Sequence, residues 1–125
     1  MKNLLSVLFL TLTIGLWAQA PQSINYQAVA RDASGQIMDA QSGMVRVSIL
    51  DAVGGNIMYQ EEHAVTTNQF GLFTIAIGKG TALQGSFSAI NWGAGDRYLN
   101  IEADFGSSYE DMGTTQLLSV PFALY

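Results

Sequence analysis

The sequence predicts an all-β protein: an antiparallel β-sandwich of about seven strands, immunoglobulin-like or transthyretin-like, behind a cleaved signal peptide. Three observations carry the prediction. Apolar and polar residues alternate at a period of two along several short stretches, the spacing at which one face of a strand meets a core. Turn residues, with 13 Gly in the chain, separate those stretches. No stretch after the leader sustains the longer period of an amphipathic helix.

The leader comes first. Met1, Lys2 and Asn3 make a short positive start, and Leu4 to Trp17 is an apolar run ending in the small-residue tripeptide Ala18, Gln19, Ala20. As a helix this run would span about 21 Å, short of the roughly 30 Å hydrocarbon core, so it predicts export and not a membrane span. Cleavage falls after Ala20, leaving Pro21 first, or after Ala18. The domains are then a signal peptide, 1–20, and one β-sandwich module, 21–125. A module of that size buries about two thirds of its unfolded surface and folds without staples.

Within the module, Ile24, Tyr26, Ala28 and Ala30 alternate with polar residues as a half-buried strand, and Asp32 to Gly35 turns the chain. Val45, Val47 and Ile49 repeat the period before Asp51 to Gly55 breaks it. Asn56 to Val65 is the next strand, Thr66 to Gly71 a polar connection, and Phe73, Ile75 and Ile77 one face of a strand that stops at Gly78. Lys79 to Gly95 reads differently: Ser86 as the cap of a short helical turn, Phe87 and Ile90 three apart plugging one end of the core, and Gly93 as the stop. Leu99, Ile101, Ala103 and Phe105 make the clearest strand. Gly106 to Gly113 reads as an exposed acidic loop, and Thr114 to Val120 as a last strand that Pro121 ends or confines to a sheet edge.

Composition narrows function. Apolar residues make up 49% and charged ones 12%, which is the make-up of a folded core and excludes a disordered tail. Five basic against ten acidic residues, net −5, argue against nucleic-acid binding through phosphate neutralisation. The absence of Cys removes disulfides, thiolate zinc sites and thiol nucleophiles.

The chemistry-bearing residues are few. His63 is the one histidine; Glu61 and His63, two apart on a strand, project from one face beside Tyr59 and Val65 and read as a structural polar pair. A hydrolase built on His63 is a remote alternative, since no Gly-x-Ser-x-Gly elbow accompanies it. Asp32-Ala33-Ser34-Gly35 reads as a hairpin turn and not half of an aspartic-protease pair. Gly78-Lys79-Gly80-Thr81 holds the Lys and Thr of a phosphate loop, but Gly80 separates them and Phe73 stands where the first Gly is required. Asp96, Glu102, Asp104, Glu110 and Asp111 lack calcium-loop spacing and read as a solvated rim. Tyr98 and Tyr109 are the two aromatics expected to be exposed and are the candidate ligand contacts, for instance to a glycan. No catalytic residue, cofactor or metal is expected.

Four strings also line up: Ile24-Asn25-Tyr26-Gln27-Ala28-Val29-Ala30-Arg31-Asp32-Ala33-Ser34-Gly35; Glu61-x-His63-x-Val65-x-Thr67-Asn68-x-Phe70-Gly71-Leu72; Ile90-Asn91-Trp92-Gly93; and Leu117 to Tyr125, with Ser-Val-Pro-Phe-Ala-Leu-Tyr at its end. Together they resemble the N-terminal module of many secreted proteins of Bacteroidetes-type bacteria. The resemblance implies a non-catalytic domain at the cell surface or outside it. Such a module stands ahead of collagen-like or fibre-like repeats, a lectin-like or paralogous surface domain, or a chaperone segment of the tail-spike kind. It supplies no catalytic residues to carry over. In that family the last string leads on into the next module, whereas here the sequence stops at Tyr125, as a fragment or a stand-alone copy would. The expected function is a non-enzymatic structural or interaction module, with a glycan- or protein-binding adhesin domain as the alternative. Its partners would be a downstream module of the same protein or another surface protein.

Overall fold

The computed structural model describes residues 23–106 and 108–118. The expected signal peptide, 1–20, and the segment from Ser119 through Pro121 to Tyr125 lie outside the described residues. Seven strands follow in order: β1 (Ile24–Val29), β2 (Ser42–Leu50), β3 (Ile57–Thr66), β4 (Leu72–Ile77), β5 (Thr81–Gln84), β6 (Arg97–Asp104) and β7 (Glu110–Leu117). They form two sheets, β1-β4 and β5-β3-β2-β6-β7, in which every pairing is antiparallel. Among the described residues the one helical element is a single 3₁₀ turn, Phe87–Ala89. The protein is the all-β sandwich that its period-two pattern predicts.

Alternation explains the core directly. Val45, Val47 and Ile49 of β2 face inward between Tyr59 of β3 and Leu99, Ile101 and Ala103 of β6. Phe73, Ile75 and Ile77 of β4 close over them from the other sheet, and all of these side chains belong to one buried cluster. Stacking edge-on, Phe87 meets both Tyr59 and Trp92 at 5.5 Å between ring centroids, so the 3₁₀ turn and Ile90 seal one end of the core.

Three local expectations change. Thr81–Gln84 is a strand, β5, although all four residues are exposed; it is recruited by pairing with the edge of β3. The acidic loop shrinks, because residues 110–113 already belong to β7. That strand begins at Glu110, takes a bulge opposite Ile101/Glu102 and ends at Leu117. As an edge strand with no layer over it, β7 needs no apolar alternation, so polar residues read as loop there. Finally, Ser86 occupies the cap position but gives no capping bond; its hydroxyl lies 3.0 Å from that of Ser88, and the turn ends at Ile90, ahead of Gly93.

Cavity formation sets the first expected outcome. Ile49→Ala removes a fully buried side chain from the central strand and should lower urea-unfolding stability by about 2–5 kcal/mol, whereas Val53→Ser at the exposed β2–β3 turn should stay within about 0.5 kcal/mol.

Candidate functional site

The most tightly organised polar group is inside the sandwich. Strand alternation places Tyr59, Glu61 and His63 on the inner face of β3, across from Ile49, Val47 and Val45. Glu61 is consequently 0% exposed. A carboxylate there costs several kcal/mol unless donors surround it. Four do. Oε1 accepts from the Tyr59 hydroxyl at 2.6 Å and the Gly78 amide at 2.7 Å. Oε2 accepts from the Gly80 amide at 3.2 Å and from Nε2 of His63.

The two amides come from the turn that carries the chain from β4 in one sheet to β5 in the other. Gly78 sits at φ 105, in the region that disfavours side chains. At Gly80 a Cβ would lie 2.6 Å from His63 Nε2 and 2.7 Å from both Glu61 Oε2 and the Glu62 carbonyl oxygen. The phosphate-loop-like string is thus an anion-binding turn whose anion is the chain's own Glu61. Burial, followed by the hydrogen bond to Glu61 and its charge, pushes the Tyr59 phenol well above the usual tyrosine range. With Glu61 closed off from solvent and both of its oxygens engaged, the group fastens β3 to the inter-sheet turn.

On the outer face of the large sheet, Arg46 of β2 stands between Glu62 of β3 and Glu102 of β6. Its Nε and Nη2 donate to the two Glu102 oxygens, each at 2.9 Å, and its guanidinium carbon lies 4.1 Å from the Tyr109 ring centroid. The Tyr109 hydroxyl donates to Glu62 Oε2 at 3.3 Å. Tyr109 is therefore half-buried under Arg46 instead of free, and burial with the nearby Glu62 charge raises its pKa. Tyr98 is half-buried too, set between Leu50 and Gln116 on the neighbouring strands. The expectation that these two rings are exposed is corrected for both, because cross-strand neighbours cover what alternation alone would leave open. Nor do they meet: Glu110, the neighbour of Tyr109, pairs with Ala103, five residues along β6 from Tyr98, which is about 17 Å of strand.

The acidic residues of the C-terminal third are also dispersed. Glu102 holds Arg46, Asp104 accepts from the Gly106 amide at 3.0 Å, and Asp111 accepts from Asn100 Nδ2 at 3.0 Å and from the Gly113 amide at 2.9 Å. Among the described residues no group of three or more acidic or histidine side chains is disposed to hold a metal ion.

The surface feature that sequence reasoning missed lies where the β1–β2 loop meets the β6–β7 turn. A cleft of about 230 Å³ opens there between Ala30, Arg31 and Met38 on one side and Ala103, Phe105 and Met112 on the other. Beside it Phe70 is 63% exposed and Ile37 43% exposed, and Val29 is exposed as well. Asn68 sets this up: its side-chain oxygen accepts from the Phe70 amide at 2.8 Å and the Leu72 amide at 3.0 Å, holding Phe70 at the apex of a tight turn. Gly71, at the base of the turn, comes so close to Ile37 that a Cβ would reach 2.5 Å from its Cγ2. The turn residues Asn68 and Gly71 are visible in the sequence, but not the outward aim of Phe70. The polar groups at the mouth serve the fold: Asp32 Oδ1 accepts from the Ser34 amide, the Ser34 hydroxyl and the Gln36 amide, bonds that hold its pKa below the ordinary carboxylate value.

Fold and surface together define a small all-β sandwich domain whose most ordered polar cluster is internal and whose exposed apolar residues include a group, Val29, Ile37 and Phe70, around Gly71. Residues 25–117, which run from β1 to the last residue of β7, match the model of a domain family of unknown function (DUF8740), and the chain belongs to that family. No curated protein and no solved structure matches the chain. Among the described residues no helix is long and apolar enough to cross a membrane.

Two outcomes follow from the Glu61 cluster. Glu61→Gln keeps the shape but turns an amide NH₂ toward donors, and should cost about 3 kcal/mol in urea unfolding; Gly80→Ala should also destabilise, by forcing the turn off Glu61. The second is alkaline sensitivity. Because the folded state raises the Tyr59 pKa, its contribution is complete below about pH 10 and is lost as pH climbs from there toward the folded value. Thermal melts across that range should show Tyr59→Phe less stable at pH 8 but with a shallower alkaline decline.

Proposed function

We propose that this domain is a non-enzymatic structural or interaction module of an exported, cell-surface protein, standing at the N-terminal end of a larger modular chain. The observation that carries the reading is the apolar surface around Gly71, where Val29, Ile37 and Phe70 remain in water beside the cleft. Apolar side chains left exposed next to one another favour burial against another protein surface. The leader-like start, with Lys2 ahead of the Leu4 to Trp17 run, supports export. The resemblance to modules of secreted Bacteroidetes-type surface proteins supports the modular setting. The internal occupation of Glu61 and His63 supports a non-catalytic role, since the lone histidine faces a carboxylate already saturated with donors. A glycan-binding role draws less support, because Tyr98 and Tyr109 are far apart along the sheet and Tyr109 is covered by Arg46.

Expression of the full chain in an exporting bacterium, followed by fractionation and surface proteolysis, tests the reading. The protein should be recovered from the surface fraction, and Phe70→Ser should move it to the medium while changing its melting temperature little, because most of the Phe70 side chain is already in water. Retention in the cytoplasm would overturn the export reading, and surface retention unaffected by Phe70→Ser and Ile37→Ser would overturn the assigned surface.

A further inference from the structure

The larger sheet carries a carboxylate on its core side. Paired residues of neighbouring strands project to the same face, and Glu110 of β7 is the partner of Ala103, which is buried in the core. Glu110 therefore stands on the inner face, where an apolar side chain belongs, and it stays in water because the two-stranded sheet stops short of β7. The space beside it is the cleft of about 230 Å³ under the β1–β2 loop. Its walls are fixed by the core. Ala30 and Ala103 are buried, Phe105 packs on Phe73 with ring centroids 6.2 Å apart, and the Met38 amide donates to the Ala30 carbonyl oxygen at 2.9 Å. The charges at the mouth do not cancel. Arg31 and Asp32 come from the β1–β2 loop and Glu110 from β7, and among the described residues none of the three forms an ion pair. Arg31 turns Nη1 onto the Gly35 carbonyl oxygen at 3.0 Å, and Asp32 Oδ1 accepts from the Ser34 and Gln36 amides of the same hairpin, bonds that favour its ionised form. Two carboxylates against one guanidinium leave one negative charge in excess above apolar walls.

We propose that this cleft binds a small apolar primary amine, with its hydrocarbon body against Met38, Phe105 and Met112 and its ammonium between Asp32 and Glu110. Volume sets the size. The cleft lies below the roughly 300–1,000 Å³ of sites that enclose drug-sized ligands, so a body of roughly ten heavy atoms fills it. Charge sets the sign. An ammonium brings three donors to two carboxylates and neutralises the excess, whereas a carboxylate on the same body meets two like charges at the mouth. The walls suit such a body, because the two methionine thioethers adapt to its outline and an aromatic ring such as Phe105 attracts a nearby cation. Binding here is independent of export and of the surface around Phe70.

Methyl NMR of the full chain labelled at methionine tests this, because Met38 and Met112 line the cleft whereas Met44 and Met58 do not. Three probes share one body: phenethylamine, the neutral phenethyl alcohol and the anion hydrocinnamate. At neutral pH the amine should shift Met38 and Met112 saturably at millimolar concentration while Met44 and Met58 stay in place, and it should bind about three-fold more tightly than the alcohol. Hydrocinnamate should not bind. Glu110→Gln should weaken the amine about three-fold and leave the alcohol unchanged, whereas Asp39→Asn, exposed and outside the cleft, should change neither. Hydrocinnamate binding as tightly as the amine would overturn the proposal, as would shifts spread equally over the four methionines or no shift at millimolar amine. So would a Glu110→Gln chain that holds the amine as tightly as the unsubstituted one.

Discussion

The sandwich depends on a carboxylate that water does not reach. Glu61 lies in the middle of β3 and receives the Tyr59 hydroxyl, the His63 ring and two amides of the turn that leads from β4 to β5. That turn is where the chain passes from the smaller sheet to the larger, so the bonds that compensate the desolvation of Glu61 also decide how the two layers are joined. The arrangement tolerates little change. A side chain at Gly80 would enter the space of both Glu61 and His63, and any residue at Gly78 must accept a positive φ.

From that anchor the two sides of the molecule diverge. On the β3 side the sheets are bolted together, and every inward residue of β4 is buried. β1 is held through its ladder to β4 and, at its end, by the Ala30 amide on the Gly71 carbonyl and the Met38 amide on the Ala30 carbonyl. A two-stranded layer fastened along one side cannot cover five strands, which is why β7 is exposed on both faces and why a cleft opens beside Ala30. Exposed apolar side chains stand at both ends of the sandwich, Phe70, Ile37 and Val29 near the cleft and Val53 and Leu118 at the other end.

The outer face of the large sheet follows a different logic. Arg46 is paired laterally with Glu102, stacked on Tyr109 and near Glu62, a network joining β2, β3, β6 and the approach to β7. Being partly solvated, such pairs add modestly to stability and act mainly to fix the register and to cover the ring of Tyr109.

Much of this was legible in residue order. The period-two runs at Ile24–Ala30, Val45–Ile49, Phe73–Ile77 and Leu99–Phe105 locate four of the strands and name their inward faces, because alternation is a local property of an extended chain. The same rule puts Tyr59, Glu61 and His63 on one face. What lies across from that face was not legible. Thr81–Gln84 has no apolar rhythm and becomes a strand only because β3 offers an edge; Glu110 to Gly113 is polar in either state and takes its conformation from β6. Gly78-Lys79-Gly80 announces an anion-binding turn without saying which anion, and Tyr109 looks open until Arg46 is laid over it. Residue order thus settled the β class, the strand faces and the turns, all consequences of local geometry. The tertiary structure alone decided the partners, because hydrogen bonds and burial between distant segments depend on which strands the fold sets side by side.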